Sequence, residues 1–115
     1  MPRTEQTYTA GEIGERLKAL PGWSHRDGAI RRAYSTDGWA HTLLVVNAIG
    51  FTCEAADHHP DLAVSWSRVE VALNTHSAKG ITARDFETAA AIERTVAWRP
   101  GASDALTGPA KPLVQ

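Results

Sequence analysis

The chain has 115 residues, a formal net charge of -1, 43% hydrophobic residues and 22% charged residues. A chain of this length forms one hydrophobic core, and its composition excludes a disordered protein, a collagen-like fibre and a membrane protein. The charge balance, which has no basic excess, argues against direct binding to nucleic acid.

Capping and turn residues mark the first predicted elements. Residues 1–7 form an N-terminal extension without the apolar segment of a signal peptide, so we expect a cytoplasmic protein. Thr9 and Glu12 form a capping-box pattern that predicts a first helix, which Pro21-Gly22 ends. Asp27-Gly28 predicts a hairpin turn between two strands, because such a turn requires positive φ at both positions.

A long apolar segment predicts a helix from about Trp39 to Asp57. We expect it to be the longest and most buried helix. It should end at His58-His59-Pro60, because proline disfavours helical backbone at the preceding residue. One stripe of this helix is predicted to face the core, formed by Trp39, Leu43, Val46, Gly50 and Cys53.

The hydrophobic period changes to two from Val64 to Thr75, which predicts one strand. Thr82 and Asp85 repeat the capping-box pattern and predict a last helix that extends to about Ala97. The predicted inward face of the strand consists of Val69, Val71 and Leu73.

The order helix-strand-strand-helix-strand-helix predicts an α+β, two-layer domain, with helices packed on one face of a small antiparallel sheet. We assign residues 8–98 to this domain. Residues 99–115 are predicted to form a flexible C-terminal tail, because they contain prolines and glycines without a hydrophobic period. The open edges of so small a sheet favour pairing between subunits.

Three histidines, His58, His59 and His76, are the candidate catalytic residues. The first two lie where a helix meets a loop, and the third lies at a strand end. Glu54 and Asp57 directly precede the pair. Imidazoles donate and accept protons near neutral pH, and carboxylates can orient them, so this pattern is typical of acid–base chemistry.

Other interpretations of these residues stay open. Helix-end histidines are commonly structural, Asp85 is more often a cap than a catalyst, and Glu54 can be an ordinary solvated charge. Histidines with carboxylates can bind zinc, but adjacent histidines rarely point at one ion and no His-Glu-x-x-His sequence occurs. Cys53, the only cysteine, excludes an internal disulfide and falls on an apolar stripe, which indicates a buried side chain.

The pattern Glu54-x3-His58-His59-Pro60-x5-Trp66-x9-His76-x8-Asp85 resembles the signature of the pterin-4a-carbinolamine dehydratases, also called 4a-hydroxytetrahydrobiopterin dehydratases. Pro21-Gly22-Trp23 and Gly80-Ile81-Thr82-Ala83-Arg84-Asp85 are also similar to that family, and the resemblance covers about residues 8 to 97. Two positions depart from it: Leu62 stands where many relatives carry an aromatic residue, and Trp66 replaces a commoner tyrosine.

The resemblance implies an activity. Such enzymes remove water from 4a-hydroxytetrahydrobiopterin to give quinonoid dihydropterin, and so recycle the pterin cofactor of aromatic amino-acid hydroxylases. No metal or organic cofactor is implied. By this resemblance, His59 is the general base toward N5–H, and His58 and His76 bind and protonate the departing hydroxyl.

The resemblance also implies a substrate site. Carboxylates would orient the imidazoles, a proline would fix the backbone, and a strand-end segment would hydrogen-bond the pterin between tryptophan walls. We expect the three imidazoles to converge on one shallow hollow. The predicted substrate-binding residues are Glu54, Asp57, Pro60, Thr75, Ser77, Ala78, Trp23, Trp66 and Asp85.

Two alternative functions follow from the same resemblance. Some members of that family also act as a binding module that stabilises a dimeric transcription factor. The chain could also act on another pterin, such as a molybdopterin-related intermediate. In each case we expect a homodimer or homotetramer, without direct contact to nucleic acid or membrane.

Overall fold

The computed structural model describes residues 6–101, 105–108 and 111–115. Residues 1–5 of the predicted N-terminal extension lie outside these ranges. Within them, no helix is both long and apolar enough to cross a membrane. The elements are α1 (Ala10–Leu17), β1 (Ser24–Arg26), β2 (Ala29–Ser35), α2 (Trp39–Ala56), β3 (Asp61–Ser65), β4 (Arg68–Leu73), a 3-10 turn (His76–Ala78) and α3 (Ala83–Val96).

The strands form one antiparallel sheet in the order β1-β2-β4-β3. One face of the sheet packs against the helices, and the other carries Glu70 among three arginine side chains. The predicted α+β class is therefore confirmed. The buried face includes Ile30 and Tyr34 and the three residues predicted to point inward, Val69, Val71 and Leu73.

The prediction of one strand from Val64 to Thr75 is wrong in one respect, because the chain forms two strands here, β3 and β4, joined as a hairpin. β3 and β4 pair with each other across a turn at Trp66-Ser67, so the predicted element order lacks β3. Neither turn residue is glycine or asparagine, which supply the positive φ of the commonest two-residue hairpin turns. The alternating pattern therefore continues through the turn without a visible break.

The boundaries predicted for α2 are close, but its predicted buried stripe is only partly right. Cys53 is buried and Val46 packs partly buried against the core, whereas Trp39, Leu43 and Gly50 are exposed. Leu44 is 56% exposed and Phe51 is 75% exposed, so α2 is also not the most buried helix. The helix is apolar on all sides, and periodicity therefore could not select the buried face. The residues that α2 buries are Thr42, Val45, Ile49 and Cys53.

The local signals at helix starts and at the first turn are confirmed. Thr9 and Glu12 form a reciprocal capping box at α1, and Thr82 and Asp85 form one at α3. Asp27 and Gly28 have φ of 51° and 75°, as the hairpin turn requires.

The last residues of the predicted C-terminal tail pack against the domain, whereas residues 102–104 and 109–110 of that tail lie outside the described ranges. Val114 is 3% exposed and belongs to the hydrophobic core, and the Gln115 amide donates to the Ser35 carbonyl at 2.9 Å. Lys111 Nζ lies 2.6 Å from the Asp37 carboxylate, and this contact lowers the pKa of Asp37. A segment this short contains no full hydrophobic period, which is why its docking was not visible in the sequence.

Candidate active site

A buried carboxylate lies at the centre of the candidate site. Asp85, at the start of α3, is 0% exposed. Its Oδ1 lies 2.6 Å from His58 Nε2, and its Oδ2 accepts from the Thr75 hydroxyl at 2.8 Å and from the Thr82 amide at 2.9 Å. The capping box therefore also joins the end of α2 to the end of β4.

The directions of these hydrogen bonds follow from counting protons. The single hydroxyl proton of Thr75 goes to Asp85, so in the 2.8 Å contact between the Thr75 and Thr82 hydroxyls it is Thr82 that donates. An ionised Asp85 only accepts, which makes His58 a donor through Nε2. Nδ1 is therefore the nitrogen through which His58 can exchange a proton.

His58 and His59 point to opposite sides of the chain. Asp57 adopts a left-handed conformation, with φ 51° and ψ 43°, which ends α2 and turns the chain. Pro60 then favours extended backbone at His59, and successive side chains alternate in extended backbone. His58 is consequently buried, whereas the side chain of His59 is 59% exposed.

His59 is paired with the carboxylate predicted to orient it. Its Nε2 lies 2.7 Å from Glu54 Oε1, on the last turn of α2. The Glu54 side chain is 78% exposed, so this pair faces solvent. Asp57 contributes through its backbone, because its carbonyl accepts from Arg84 Nη2 at 2.8 Å.

His76 lies beside a hollow of about 380 Å³ between the start of α1 and the ends of β1 and β4. Thr75 also lines it, and Ser77 and Ala78 complete the 3-10 turn that carries His76. His58 lines a different hollow, of about 240 Å³, between α2 and α3. His76 and His58 thus line two different cavities, and the hydrogen bonds of Asp85 to His58 and Thr75 connect the segments that carry them.

Neither tryptophan predicted to flank the substrate lies beside the histidines in this chain. Trp23 is 6% exposed, and its Nε1 donates to Glu93 Oε1 at 2.9 Å. The Tyr34 hydroxyl donates to the same oxygen at 2.7 Å, and burial together with Glu93 raises the pKa of Tyr34. The hydrogen bonds to Glu93 connect Trp23 and Tyr34 to α3, and both aromatic side chains belong to the core.

Trp66 is 69% exposed at the β3–β4 turn, and its carbonyl accepts from the Thr42 hydroxyl near the start of α2. Glu54 lies near the other end of α2, which has 18 residues and is about 27 Å long. Trp66 and the His59–Glu54 pair are therefore at opposite ends of the helix.

The structure adds three polar residues that the sequence did not mark as functional. His25, Asn74 and Lys79 line the hollow beside His76. Asn74 Oδ1 is buried without a hydrogen-bond partner among the described residues, which is unusual for a buried polar atom. His25 comes to this hollow through the pairing of β1 with β2.

The described residues give no support for a cysteine nucleophile or for a metal site. Burial raises the pKa of Cys53 to about 11, so the thiol stays protonated at neutral pH. Among the described residues, no group of three or more His, Cys, Asp and Glu side chains is placed to hold a metal ion.

Known proteins are similar to this chain in sequence and in fold. Residues 6–95 match the family model described as pterin 4 alpha carbinolamine dehydratase. A provisionally named pterin-4-alpha-carbinolamine dehydratase of Aquifex aeolicus is 45% identical over 85 residues, which cover 74% of this chain and 86% of the relative. A similarly named protein of Paracidovorax citrulli is 43% identical over 90 residues, with 75% and 78% covered.

One solved structure is similar over most of the domain. It is the crystal structure of a transcriptional coactivator/pterin dehydratase from Brucella melitensis. The TM-score is 0.73 at 30% sequence identity, with 78% of this chain and 98% of that chain covered.

Proposed function

This chain belongs to the pterin 4 alpha carbinolamine dehydratase family, and we propose that it removes water from 4a-hydroxytetrahydrobiopterin to give quinonoid dihydropterin. The main support for this proposal is the set of hydrogen bonds that Asp85 makes with His58, Thr75 and Thr82. One buried carboxylate joins His58 to Thr75, the residue directly before His76. It thereby holds the helix-end and strand-end segments of the histidine pattern next to each other.

The proposed reaction needs an acid and a base. The C4a–O bond breaks, a C4a=N5 double bond forms, and the hydroxyl leaves as water after it receives a proton. The proton on N5 is lost to a base, so the protons balance. Imidazoles suit both roles near neutral pH, and the scheme uses no metal or organic cofactor.

The three histidines take separate roles in this proposal. His76 lines the hollow and would protonate the departing hydroxyl, assisted by His58 through Nδ1. His59 would accept the N5 proton, since its ring is accessible and Glu54 orients it. The pterin ring would lie against the strand-end segment, where the unpaired oxygen of Asn74 offers an acceptor for a ring N–H.

The proposal is tested by the rate of carbinolamine loss. The carbinolamine is generated in situ by a pterin-dependent hydroxylase, and its decay is followed by absorbance with and without micromolar protein. We expect a decay well above the buffer rate. A rate equal to that in buffer would refute the dehydratase assignment.

We also propose that the protein acts in the cytoplasm.

A second candidate function is a protein-binding module for a transcription factor. The similar Brucella protein is described as a transcriptional coactivator/pterin dehydratase, and α2 of this chain exposes a large apolar surface on which a protein can dock. Retention of partner binding by a His76→Ala variant would separate this role from catalysis.

We propose that the exposed face of α2 is covered by a second copy of this chain. Leu44 and Phe51 are seven residues apart, so they lie on one side of the helix about two turns apart. Exposed apolar groups on neighbouring helical turns are typical of an interface between proteins. A homodimer or homotetramer would remove this surface from water.

The variant Phe51→Glu should therefore weaken the oligomer. A charge at a position that is 75% exposed in one chain costs little in the monomer, but it is unfavourable within an apolar interface. In sedimentation velocity, we expect the wild type to sediment as an oligomer and the variant to shift toward monomer mass. Leu106→Glu, at an apolar residue that is 62% exposed outside α2, is the matched control. A monomeric wild type would exclude the oligomer, and an unaffected Phe51→Glu oligomer would exclude this face.

A further inference from the structure

The peptide group between Asp57 and His58 is held at both of its polar atoms. Its amide, which belongs to His58, donates to the Cys53 carbonyl at 3.1 Å. Its carbonyl, which belongs to Asp57, accepts from Arg84 Nη2 at 2.8 Å. Because a peptide group is planar and rigid, these two hydrogen bonds restrict the orientation of the whole group.

The orientation of this peptide group sets the directions of two histidines. The ψ of Asp57 and the φ of His58 are the rotations on either side of it. Asp57 has φ 51° and ψ 43°, a conformation that residues other than glycine seldom adopt. A change in either rotation would move the His58 imidazole away from Asp85 and would redirect His59.

Arg84 supplies a cation that the end of α2 lacks. The last turn of α2, residues 53–56, contains no basic residue, although the carbonyl end of a helix favours a positive charge and side-chain donors. Arg84 brings both from the first turn of α3. It also lines the hollow of about 240 Å³ that His58 lines.

Two adjacent residues of α3 thus act on one histidine. Asp85 holds the imidazole through Nε2, and Arg84 holds the backbone that carries it. The Asp85 contact leaves the backbone of His58 free to rotate, and the Arg84 contact restricts that rotation. Together they define where His58 and His59 point.

We propose that Arg84 is a positioning residue for the dehydration, acting through the Asp57–His58 peptide group. The inference rests on the proposed function, because that function gives His58 and His59 their roles in proton transfer. Arg84 acts through the backbone and needs no contact with the pterin. Its loss should therefore lower kcat and leave KM nearly unchanged.

The variant Arg84→Met removes the guanidinium and keeps an apolar stem. We expect kcat for carbinolamine dehydration to decrease by about 10- to 10²-fold, since a small misplacement of a catalytic group has an effect of this size. KM should change by less than about twofold. Arg84→Lys retains a cation and a donor, and its kcat should lie within about fivefold of wild type.

A matched control comes from the same helix. Arg94 is an exposed arginine in the last turn of α3, far along the helix from Arg84. Arg94→Met makes the same chemical change and should retain the wild-type kcat. Thermal unfolding of each variant shows that the folded state is present.

Hydrogen exchange gives a measurement that does not depend on activity. In Arg84→Met, the His58 amide should exchange at least about tenfold faster than in the wild type, whereas the amide of buried Ile92 should keep its rate. Nitrogen NMR should find the wild-type tautomer of His58, because Asp85 still accepts from Nε2. A global loss of stability would instead accelerate exchange at both amides.

The outcomes separate this inference from the proposed function. A wild-type kcat in Arg84→Met, measured beside an active wild type, would overturn the inference and leave the dehydratase assignment intact. An increase in KM without a change in kcat would do the same. An unfolded Arg84→Met, or equally accelerated exchange at His58 and Ile92, would also overturn it, because Arg84 would then be a structural residue. An inactive wild type would overturn the proposed function, and the role of Arg84 in catalysis with it.

Discussion

Replacing His76 with alanine is expected to lower kcat for carbinolamine dehydration by about 10²–10⁴, which is typical for the loss of a general acid or base. His76 is an exposed residue that lines the hollow on a short turn, and the Thr75–Gly80 bridge fixes the backbone of this turn. Removal of the ring should therefore affect the reaction much more than the fold. His59→Ala is expected to cause a loss of the same order, because it removes the proposed base.

The measurement is the decay of the carbinolamine at saturating substrate, accompanied by thermal unfolding of each variant. His41→Ala is the matched control, since His41 lies in the first turn of α2, far from the other end where Glu54 and His59 lie. It should retain activity within about twofold, a change equivalent to less than about 0.5 kcal/mol. Unchanged turnover in both His76→Ala and His59→Ala would remove the basis of the proposed site.

Local sequence signals predicted the parts of the fold that depend on neighbouring residues. The capping boxes at Thr9 and Thr82 need only a hydroxyl and a carboxylate three residues apart. The Asp27-Gly28 turn needs only two residues that tolerate positive φ. Such features survive in any tertiary context, which explains why they were visible before the fold was known.

Features that depend on the whole fold were not visible. The choice of buried face on α2 was made by packing against β4 and α3, and Thr42 is buried because its hydroxyl bonds to Thr36 at 2.7 Å. Val114 enters the core only because the chain returns to Ser35. Neither contact has a signature in the local sequence.

In the candidate site, too, the sequence predicted local features but not those that depend on the whole fold. The pattern of histidines identified the segments, but it did not show that His58 would turn inward and His59 outward. That difference comes from the left-handed conformation of Asp57, followed by extended backbone before Pro60. Trp23 was placed near the substrate by resemblance, but its indole N–H is instead bonded to Glu93.

The variant Asp85→Ala is expected to lower the free energy of unfolding by about 3–5 kcal/mol, because it removes a buried acceptor and leaves its donors unpaired. Those donors are His58 Nε2, the Thr75 hydroxyl and the Thr82 amide. Urea denaturation measures this loss. Asp61→Asn, an exposed carboxylate at the start of β3, is the control and should change stability by less than about 0.5 kcal/mol.

Asp85→Asn separates stability from proton placement. The amide oxygen can still accept from Thr75 and Thr82, so we expect a loss of only about 1–2 kcal/mol. The amide nitrogen, however, is a donor facing His58 Nε2, which must then accept, and the imidazole proton moves to Nδ1. Nitrogen NMR of the His58 ring should report this change of tautomer, and kcat should decrease by about 10² or more if His58 acts through Nδ1. A wild-type tautomer in Asp85→Asn, or a fully stable Asp85→Ala, would show that this carboxylate does not organise the site.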